Sequence, residues 1–397
     1  MELELWVRLD PESGDVDAEV ELAGFDGFFL HRDLDVETLT PGATVEVSTD
    51  TSAHLDRVNG YRIAGADPVR LRYRGRLPET MAEGTNVLND DVLELSIYSA
   101  WYPVPLDLGS FSWRLHLDVP SGWRLFTNGE PGQDGVLHHD GNAATGDIAV
   151  AGARKVDVMH LADGVELVTC GSVGDAASEL GPLIVQGLAL LRNWYGAPER
   201  LDAGRVVVTE RGGYPYSRMP TVFASAEMVE KQTARNVHVL GHELAHFWWN
   251  IAPVASHDDW INEALAEYSA LRLTEELVGS EASDKVVRGY QLEAEMSRED
   301  PPMAHTDPDD EKSYATNKYN RGSLFFRALA ELLEPNELDA LLTRFHTAHA
   351  VAGDASIEGF VELLRQADPA LAGEAQRVLE ERAWDGHWPG VSLTTIP

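Results

Sequence analysis

The chain has 397 residues, of which 44% are hydrophobic, so it is long and apolar enough for two or three domains with their own cores. This composition excludes an intrinsically disordered protein. Its 66 acidic residues against 31 basic ones give a formal net charge of −35. A surface this acidic repels nucleic acid and anionic membranes, so neither is expected as a partner.

The excess of acid is also typical of a halophilic protein, because concentrated salt screens the self-repulsion of such a surface. Only five of the 31 basic residues are lysine, and the others are arginine. A genome rich in G and C would also favour Asp, Glu and Arg without any adaptation to salt. The size of the charge deficit favours the halophilic interpretation.

Several features predict a cytoplasmic location. The opening residues, MELELWVRLD, have neither the basic nor the apolar segment of a secretory signal. No apolar run approaches the length that spans a bilayer. Cys170 is the only cysteine, so an intramolecular disulfide is excluded and a reducing compartment is expected.

Residues 1–165 are predicted to form an antiparallel β-sandwich or saddle domain. Apolar and polar residues alternate in short segments, which turns rich in Gly, Pro, Asp or Asn separate. The clearest of these segments are LELWVRLD, DVDAEVELAG, ATVEVSTD, PVRLRYRG, SFSWRLHLDV and GDIAVAGA. Short strands at this spacing are typical of a β-rich domain.

Residues 166–397 are predicted to form a second, mainly helical domain. The apolar period changes near residue 172, where DAASELGPLIVQGLALLRNWYG has helical spacing. Two strands are predicted at 205–210 and 221–227, helices at 233–250, 259–278, 281–297 and 320–334 with shorter ones to about 383, and a surface loop at 297–310. The predicted fold class is therefore α+β, with more than one domain.

The segment GHELAHFWWN (241–250) places His242 and His246 on one face of a helix, because residues four apart lie one turn apart. Two such imidazoles can bind one Zn²⁺, and Glu243 between them can take a proton from water. The alternative is a buried helix that carries two histidines by chance. The apolar flanks favour the metal, because burying these groups without partners would be costly.

The helix predicted from DDWINEALAEYSALRL offers a third ligand. Glu263 lies within its apolar stripe, and an acid in that position needs a cation. Glu267, one turn further, could accept a hydrogen bond from a ligating imidazole, or it could be a partly exposed helix carboxylate. Three nearby residues stay open as rival ligands: His257, Asp258 and Asp259.

HELAHFWW followed by WINEALAEY resembles the gluzincin zinc aminopeptidases, the family of aminopeptidase N and leukotriene hydrolase. In that family eighteen residues separate HExxH from the ligand Glu of a W-L-N-E motif, whereas sixteen separate His246 from Glu263. The tryptophan-rich segment 100–130 is similar to a strand pair of the family's β domain. The resemblance implies a thermolysin-like catalytic domain, one Zn²⁺ per chain held by His242, His246 and Glu263, and a peptide substrate.

The resemblance also implies a tyrosine that donates a hydrogen bond to the oxyanion. The family places it in a Y-x-K-G pattern, which Tyr319-Asn-Arg-Gly matches with Arg321 in the lysine position. Tyr319 is therefore the predicted catalytic tyrosine, beside the base Glu243. Tyr314 corresponds to a tyrosine of some members and is a candidate for substrate binding. Both tyrosines could also be packing aromatics.

The family's G-x-M-E-N motif, whose glutamate binds the free amine of the substrate, is missing. The segment RGGYPYSRMPTVFASAE has Met219 in the methionine position, as a substrate-binding candidate, but Pro220 in place of the glutamate. Arg218 could bind an anionic group of the substrate, or it could be an ordinary surface cation. The chain is also expected to lack the large helical C-terminal domain of many relatives.

The predicted function is therefore peptide-bond hydrolysis by a zinc metallopeptidase, aminopeptidase-like but with altered recognition of the substrate's N-terminus. TVFASAE is expected to be the edge strand along which an extended peptide pairs. Two alternatives stay open: a zinc hydrolase of a non-peptide substrate, and a non-catalytic peptide-binding scaffold that retains the metal. The sequence does not decide between exo- and endopeptidase action, and it does not give the oligomeric state.

Overall fold

A computed structural model describes residues 1–52, 55, 57–132, 136–139, 146–174, 176–198, 204–230, 233–254, 256–307, 310–333, 336–381 and 384. The end of the predicted second domain, after residue 384, lies outside the described residues. The chain divides into two compact units, Met1–Gly181 with Asp202–Lys231, and Pro182–Leu201 with Gln232–Pro397. The domain limits 1–165 and 166–397 stay a prediction.

β-Strands make up most of the first unit. In the described part of the chain they are β1 Glu2–Asp10, β2 Asp15–Ala23, β3 Gly27–His31, β4 Leu34–Thr38, β5 Thr44–Ser48, β6 Val58–Ala64, β7 Val69–Arg76, β8 Thr80–Met81, β9 Asn86–Leu88, β10 Val92–Leu95, β11 Val104–Pro105, β12 Ser112–Asp118, β13 Arg124–Thr127, β14 Glu130–Pro131, β15 Leu137–His139, β16 Val150–Ala153, β17 Val156–His160, β18 Glu166–Cys170, β19 Arg205–Thr209, β20 Tyr216–Arg218 and β21 Thr221–Ser225. The six segments chosen for their alternation overlap with β1, β2, β5, β7, β12 and β16. Strand β3 was not among these segments. All five of its residues are buried, so its sequence does not alternate between apolar and polar residues.

These strands form four described sheets. The largest has the order β14-β15-β12-β1-β2-β7-β4, and a four-stranded sheet has the order β11-β3-β6-β5. The other two have the orders β13-β16-β10-β9-β8 and β17-β18-β19-β21-β20. One hydrophobic core contains residues from the largest sheet and from the four-stranded sheet, as in a sandwich. The predicted fold class is confirmed, although β1 and β12 pair in parallel rather than antiparallel.

The alternating pattern of β1 places one face of the strand in this core. The core-facing residues of β1 are Leu3, Leu5, Val7 and Leu9. Trp101 and Trp113 fill the space beside them, and their indoles donate hydrogen bonds to the main-chain oxygens of Ile148 and Asp147, both at 3.1 Å. These bonds let two large rings be buried without an unpaired donor.

The fourth sheet corrects one prediction. Strand β21 has β19 on one side and β20 on the other, so the expectation that TVFASAE forms an edge strand was wrong. The chain folds back through the loop before β20. There Arg211 pairs with the buried carboxylate of Glu94 at 2.7 Å and donates to the carbonyl oxygens of Gly212 and Tyr214. On this side of the sheet, the edge position therefore belongs to β20.

Helices dominate the second unit. In chain order, the described helices of both units are α1 Ala176–Tyr195, α2 Ala226–Glu230, α3 Ala234–Ala245, α4 Asp259–Leu277, α5 Ser280–Met296, α6 Glu311–Ala315, α7 Gly322–Leu332, α8 Glu337–His349, α9 Ile357–Ala367 and α10 Pro369–Leu379. A π-helical turn, Thr316–Arg321, joins α6 to α7. Among these helices, none combines the length and the apolar composition that a bilayer span requires.

Helix α3 ends at Ala245, about one turn before the predicted end at residue 250. The aromatic residues that follow take up tertiary hydrogen bonds instead of continuing the helix. The indole of Trp248 donates to the carbonyl oxygen of Gly196, and that of Trp249 donates to Oγ of Ser269, both at 2.9 Å. Tertiary contacts thus override the helical periodicity of this segment.

Helix α4 lies at the centre of the second unit and packs against α3, α5 and α7. Gly322, the first residue of α7, permits a close approach of the two helices. A Cβ atom at this position would lie 2.5 Å from Cβ of Ala264 on α4. The ring of Trp260 packs on Phe325 and Phe326 along the same contact. The π-helical turn is therefore held next to α4.

Candidate metal centre

Helix α3 brings three polar side chains into the interior of the second unit. His242, Glu243 and His246 are only 8%, 7% and 9% exposed. The two histidines share a face because they are four residues apart on the helix or at its end. Helix α4 contributes Glu263 to the same place, so the site combines one element that carries HExxH with one that carries WINE.

Nε2 of His242, Nε2 of His246 and Oε2 of Glu263 converge on one point. Nε2 of His242 lies 3.1 Å from the other two atoms, and Nε2 of His246 lies 3.6 Å from Oε2 of Glu263. Tetrahedral zinc with ligand bonds of about 2.0–2.1 Å would separate its ligand atoms by about 3.3–3.4 Å. The spacing of the three side chains therefore fits a zinc ion.

The hydrogen bonds of the two rings leave both Nε2 atoms free to act as ligands. Nδ1 of His246 lies 2.9 Å from the carbonyl oxygen of Trp249, which can only accept, so this nitrogen carries the hydrogen. Nδ1 of His242 lies 2.7 Å from Oε2 of Glu267 and donates in the same way. When neither Nε2 atom is protonated, two nitrogen lone pairs and a carboxylate oxygen face one another, and a positive charge at this point, from a proton or a metal ion, offsets their repulsion.

The pKa shifts of His242 and Glu263 both favour the charged form of the side chain. Burial by itself lowers the pKa of His242, but hydrogen bonds to Glu263 and Glu267 outweigh it and raise that pKa well above its ordinary value. Burial raises the pKa of Glu263, but the charge of Lys318 and the hydrogen bonds from His242 and His246 outweigh it and hold that pKa well below its usual range. The carboxylate is therefore ionised, as a metal ligand must be.

Only sixteen residues separate His246 from Glu263, and Asn262, the residue before Glu263, explains how α3 and α4 are still aligned. Its Oδ1 accepts hydrogen bonds from the main-chain nitrogens of Ile251 and Ala252 at 2.8 and 2.9 Å. Its Nδ2 donates to the carbonyl oxygen of Ala252 at 3.0 Å. The side chain thereby fixes the end of the histidine segment to α4 directly.

Lys318 is a site residue that the sequence did not reveal. Its Nζ lies 3.7 Å from Oε1 of Glu263 and 3.5 Å from Oδ2 of Asp259. The hydroxyl of Tyr314 donates to the same Asp259 oxygen at 3.0 Å, and the ammonium group lies 4.5 Å from the centre of the Tyr314 ring. The one available signal was its position directly before Tyr319, which by itself predicts no contact with Glu263.

Tyr319 lies on the π-helical turn, a geometry that is frequent at functional sites. The centre of its ring is 5.7 Å from that of His242. Arg321 on the same turn is buried, and it donates to Oδ1 of Asn317 at 2.9 Å and to the carbonyl oxygen of Ser297 at 2.5 Å. The residue in the family's lysine position thus anchors the turn.

The predicted substrate-binding residues Arg218 and Met219 belong to the first compact unit. Nε of Arg218 donates to Oδ2 of Asp147 at 2.6 Å, and a second guanidinium nitrogen donates to the carbonyl oxygen of Ser217 at 2.7 Å. The guanidinium also lies over the rings of two tyrosines. Arg218 is largely buried, so the interpretation as an ordinary surface cation does not fit.

The rival ligands lie apart from the two histidines of α3. His257 and Asp258 form a separate group with Glu358, and Oδ1 of Asp258 accepts a hydrogen bond from the main-chain nitrogen of Ile357 at 3.0 Å. Asp259 is held by Tyr314, as described above. Within the described residues, the metal-type cluster that contains the HExxH histidines has Glu263 as its third member.

Residues 216–379 match the model of the peptidase family M1 domain. The match includes His242, His246, Glu263 and Tyr319, and it confirms the predicted resemblance to the gluzincin aminopeptidases.

Two curated relatives are fungal aminopeptidases. The chain is 28% identical over 190 residues to leucine aminopeptidase 2 of Emericella nidulans, a match that covers 43% of this chain and 30% of that protein. It is 26% identical over 161 residues to leucine aminopeptidase 2 of Ajellomyces capsulatus, covering 36% and 25%. The matches therefore span less than a third of either relative.

Two solved structures share the fold over nearly the whole chain. The M1 zinc metallopeptidase from Deinococcus radiodurans superposes with a TM-score of 0.65 at 16% identity, covering 96% of this chain and 93% of that chain. The native yeast LTA4 hydrolase superposes with a TM-score of 0.63 at 15% identity, covering 99% and 68%. These likenesses establish the order of a β-rich part followed by a helical part.

Proposed function

We propose that the protein is a zinc-dependent metallopeptidase, aminopeptidase-like, that hydrolyses peptide bonds. The observation that carries this proposal is the convergence of Nε2 of His242, Nε2 of His246 and Oε2 of Glu263 within 3.1–3.6 Å, with both Nδ1 atoms engaged as donors. The match of residues 216–379 to the model of the peptidase family M1 domain supports the same reaction class.

His242, His246 and Glu263 would hold one Zn²⁺ per chain. Imidazole and carboxylate ligands in a three-residue set suit zinc and leave a position for the substrate. When bound, zinc supplies a Lewis acid that polarises the scissile carbonyl and lowers the pKa of water. Glu267 orients the His242 ring through the hydrogen bond at Nδ1.

Glu243 and Tyr319 would carry the proton transfers and the charge of the reaction. Glu243, buried beside His242, takes a proton from the attacking water and later passes it to the leaving amine. The Tyr319 hydroxyl donates a hydrogen bond to the oxyanion of the tetrahedral intermediate. Glu243 lies on α3 beside the ligand His242, and Tyr319 lies on the π-helical turn with its ring centre 5.7 Å from that of His242.

The substrate would be a peptide whose N-terminus is recognised without the usual glutamate of the family. Pro220 stands in that position, next to Met219. We retain Arg218, Met219 and Tyr314 as candidate substrate-binding residues. The guanidinium of Arg218 is already committed to Asp147, and the hydroxyl of Tyr314 to Asp259. We further propose that the protein acts in the cytoplasm of a halophilic cell.

Hydrolysis of a mixed peptide library, with wild type compared with Glu243→Gln, tests the proposal. We expect zinc in both proteins, cleavage by the wild type, and a loss of rate of about 10²–10⁴-fold in the variant. The ends of the products distinguish exo- from endopeptidase action. Zinc in both proteins with cleavage by neither, at low and at molar salt, would favour a hydrolase of non-peptide substrates or a scaffold.

A further inference from the structure

A chain of buried polar groups lies behind His242, on the Nδ1 side of its ring. Its members come from three helices: His238 from α3, Glu267 and Thr274 from α4, and Tyr290 from α5. His238 stands one turn before His242 on α3, so the two rings are neighbours on the same helix face. The proposed reaction uses none of these groups as acid, base or ligand.

Both oxygens of the Glu267 carboxylate accept hydrogen bonds. Oε2 accepts from Nδ1 of His242 at 2.7 Å. Oε1 lies 2.5 Å from Nε2 of His238 and also accepts from the hydroxyl of Tyr290. The carboxylate therefore has one oxygen toward the metal ligand and the other toward two donors outside the ligand set.

His238 is itself fixed at both ring nitrogens. The hydroxyl of Thr274 lies within hydrogen-bond distance of the carbonyl oxygen of Ala270, at 2.8 Å, and of His238, so it can donate to Nδ1 of that ring while Nε2 carries the ring hydrogen. Nδ1 of His238 lies 3.0 Å from the Thr274 oxygen, and Nε2 points at Glu267. A ring held in this way cannot turn without losing two hydrogen bonds.

We propose that His238 and Tyr290 are positioning residues of the metal centre. By holding Oε1 of Glu267, they keep its other oxygen on Nδ1 of His242, and that bond keeps Nε2 of His242 directed at the metal. A carboxylate held at one oxygen only would be free to rotate about its last bond and to release the imidazole. The inference rests on the proposed zinc site and adds the groups that stabilise it.

Two variants of His238 separate this role from simple packing. The side-chain amide nitrogen of glutamine reaches about as far as Nε2 of histidine, whereas that of asparagine reaches only about as far as Nδ1. His238→Gln can therefore still donate to Glu267, and His238→Asn cannot. Zinc affinity of the full chain, measured by competition with a chromogenic chelator, should fall about tenfold in His238→Asn and stay within about twofold of wild type in His238→Gln.

Tyr290→Phe removes the second donor to Oε1, and Tyr73→Phe is its matched control. The hydroxyl of Tyr73 is buried and donates to the carbonyl oxygen of Trp101 at 3.0 Å, within the first compact unit. Both changes delete one hydrogen-bonded oxygen, so both should lower the Tm of the metal-free protein. Zinc affinity should fall about threefold to tenfold in Tyr290→Phe alone.

Equal zinc affinities in wild type, His238→Asn and Tyr290→Phe would overturn the inference. A lowered Tm of the metal-free variants without a change in zinc affinity would do so as well, because it would assign these residues to stability alone. Failure of the wild type to bind zinc would instead contradict the proposed function, and with it this inference. The zinc titration thus distinguishes the two failures without any assay of activity.

Discussion

The two oxygens of the Glu263 carboxylate have different neighbours. Oε2 faces the ring nitrogens of His242 and His246, whereas Oε1 lies 3.7 Å from the ammonium group of Lys318. The lysine favours the ionised carboxylate, but it also opposes the approach of a dication to that carboxylate. Lys318 is therefore expected to weaken zinc binding while it leaves Oε2 of Glu263 as the ligand oxygen.

Replacing Lys318 by methionine should tighten zinc binding on the order of tenfold, because one positive charge next to the ligand set is removed. A chelator competition titration measures the change. Lys312→Met, at an exposed position on the preceding helix, is the matched control and should leave the affinity unchanged. Weaker zinc binding in Lys318→Met would contradict this electrostatic argument.

Tyr319→Phe removes the proposed donor to the oxyanion and nothing from the ligand set. We expect kcat on peptide substrates to fall by about 10²–10³-fold, with a small change in KM and an unchanged zinc content. Steady-state kinetics together with metal analysis check these three quantities. A fall confined to KM would assign the ring to substrate binding rather than to the transition state.

At the scale of elements, the π-helical turn depends on the close contact between α4 and α7. Gly322 has no room for a side chain, since a Cβ would lie 2.5 Å from Cβ of Ala264 and 2.9 Å from Nε1 of Trp260. That indole in turn donates to the carbonyl oxygen of Asn317 at 2.9 Å. Any displacement of α7 would therefore move the turn that carries Tyr319.

Gly322→Ala should lower the free energy of unfolding by about 1–3 kcal/mol, because a methyl group is forced into a packed contact. Gly289→Ala is the matched control: it lies within α5, and apart from the adjacent helix backbone no atom lies within 4 Å of an added Cβ. That change should stabilise by about 0.5–1 kcal/mol through helix propensity. Urea unfolding curves decide, and an undiminished stability of Gly322→Ala would contradict the close contact.

Local sequence patterns predicted which helices and strands form better than they predicted where these elements end or what they pack against. The helical period of α4 predicted that Glu263 and Glu267 lie on a single stripe, because both residues belong to the same helix. The early end of α3 and the position of β20 beside β21 depend on Trp249, Arg211 and their distant partners. Likewise Tyr290 and Lys318 meet the site only through packing between helices, for which a sequence has no periodic signal.

At the scale of the whole molecule, charge is the dominant feature. Even if each of the 31 basic residues neutralised one acid, 35 carboxylates would keep an uncompensated charge. Described surface pairs such as Arg72–Asp17 and Arg70–Glu19 are exposed and contribute little to stability individually. Self-repulsion among the remaining acids opposes the compact state unless salt screens it.

The halophilic interpretation predicts that Tm rises steadily between about 0.1 M and 2 M KCl, where the Debye length falls from about 10 Å to below about 3 Å. Differential scanning fluorimetry over that range measures the change. An uncharged osmolyte at matched osmolality controls for general exclusion effects. A Tm that stays flat or falls with KCl would leave base composition as the explanation of the acidity.

The central claim is a zinc ion held by His242, His246 and Glu263, and metal analysis of purified protein tests it most directly. Wild type should contain one zinc per chain after dialysis against metal-free buffer. Glu263→Ala should lose it, because the ligand set would fall to two. His257→Ala, which removes a rival ligand, should retain it. Zinc retained in Glu263→Ala or lost in His257→Ala would contradict this ligand set.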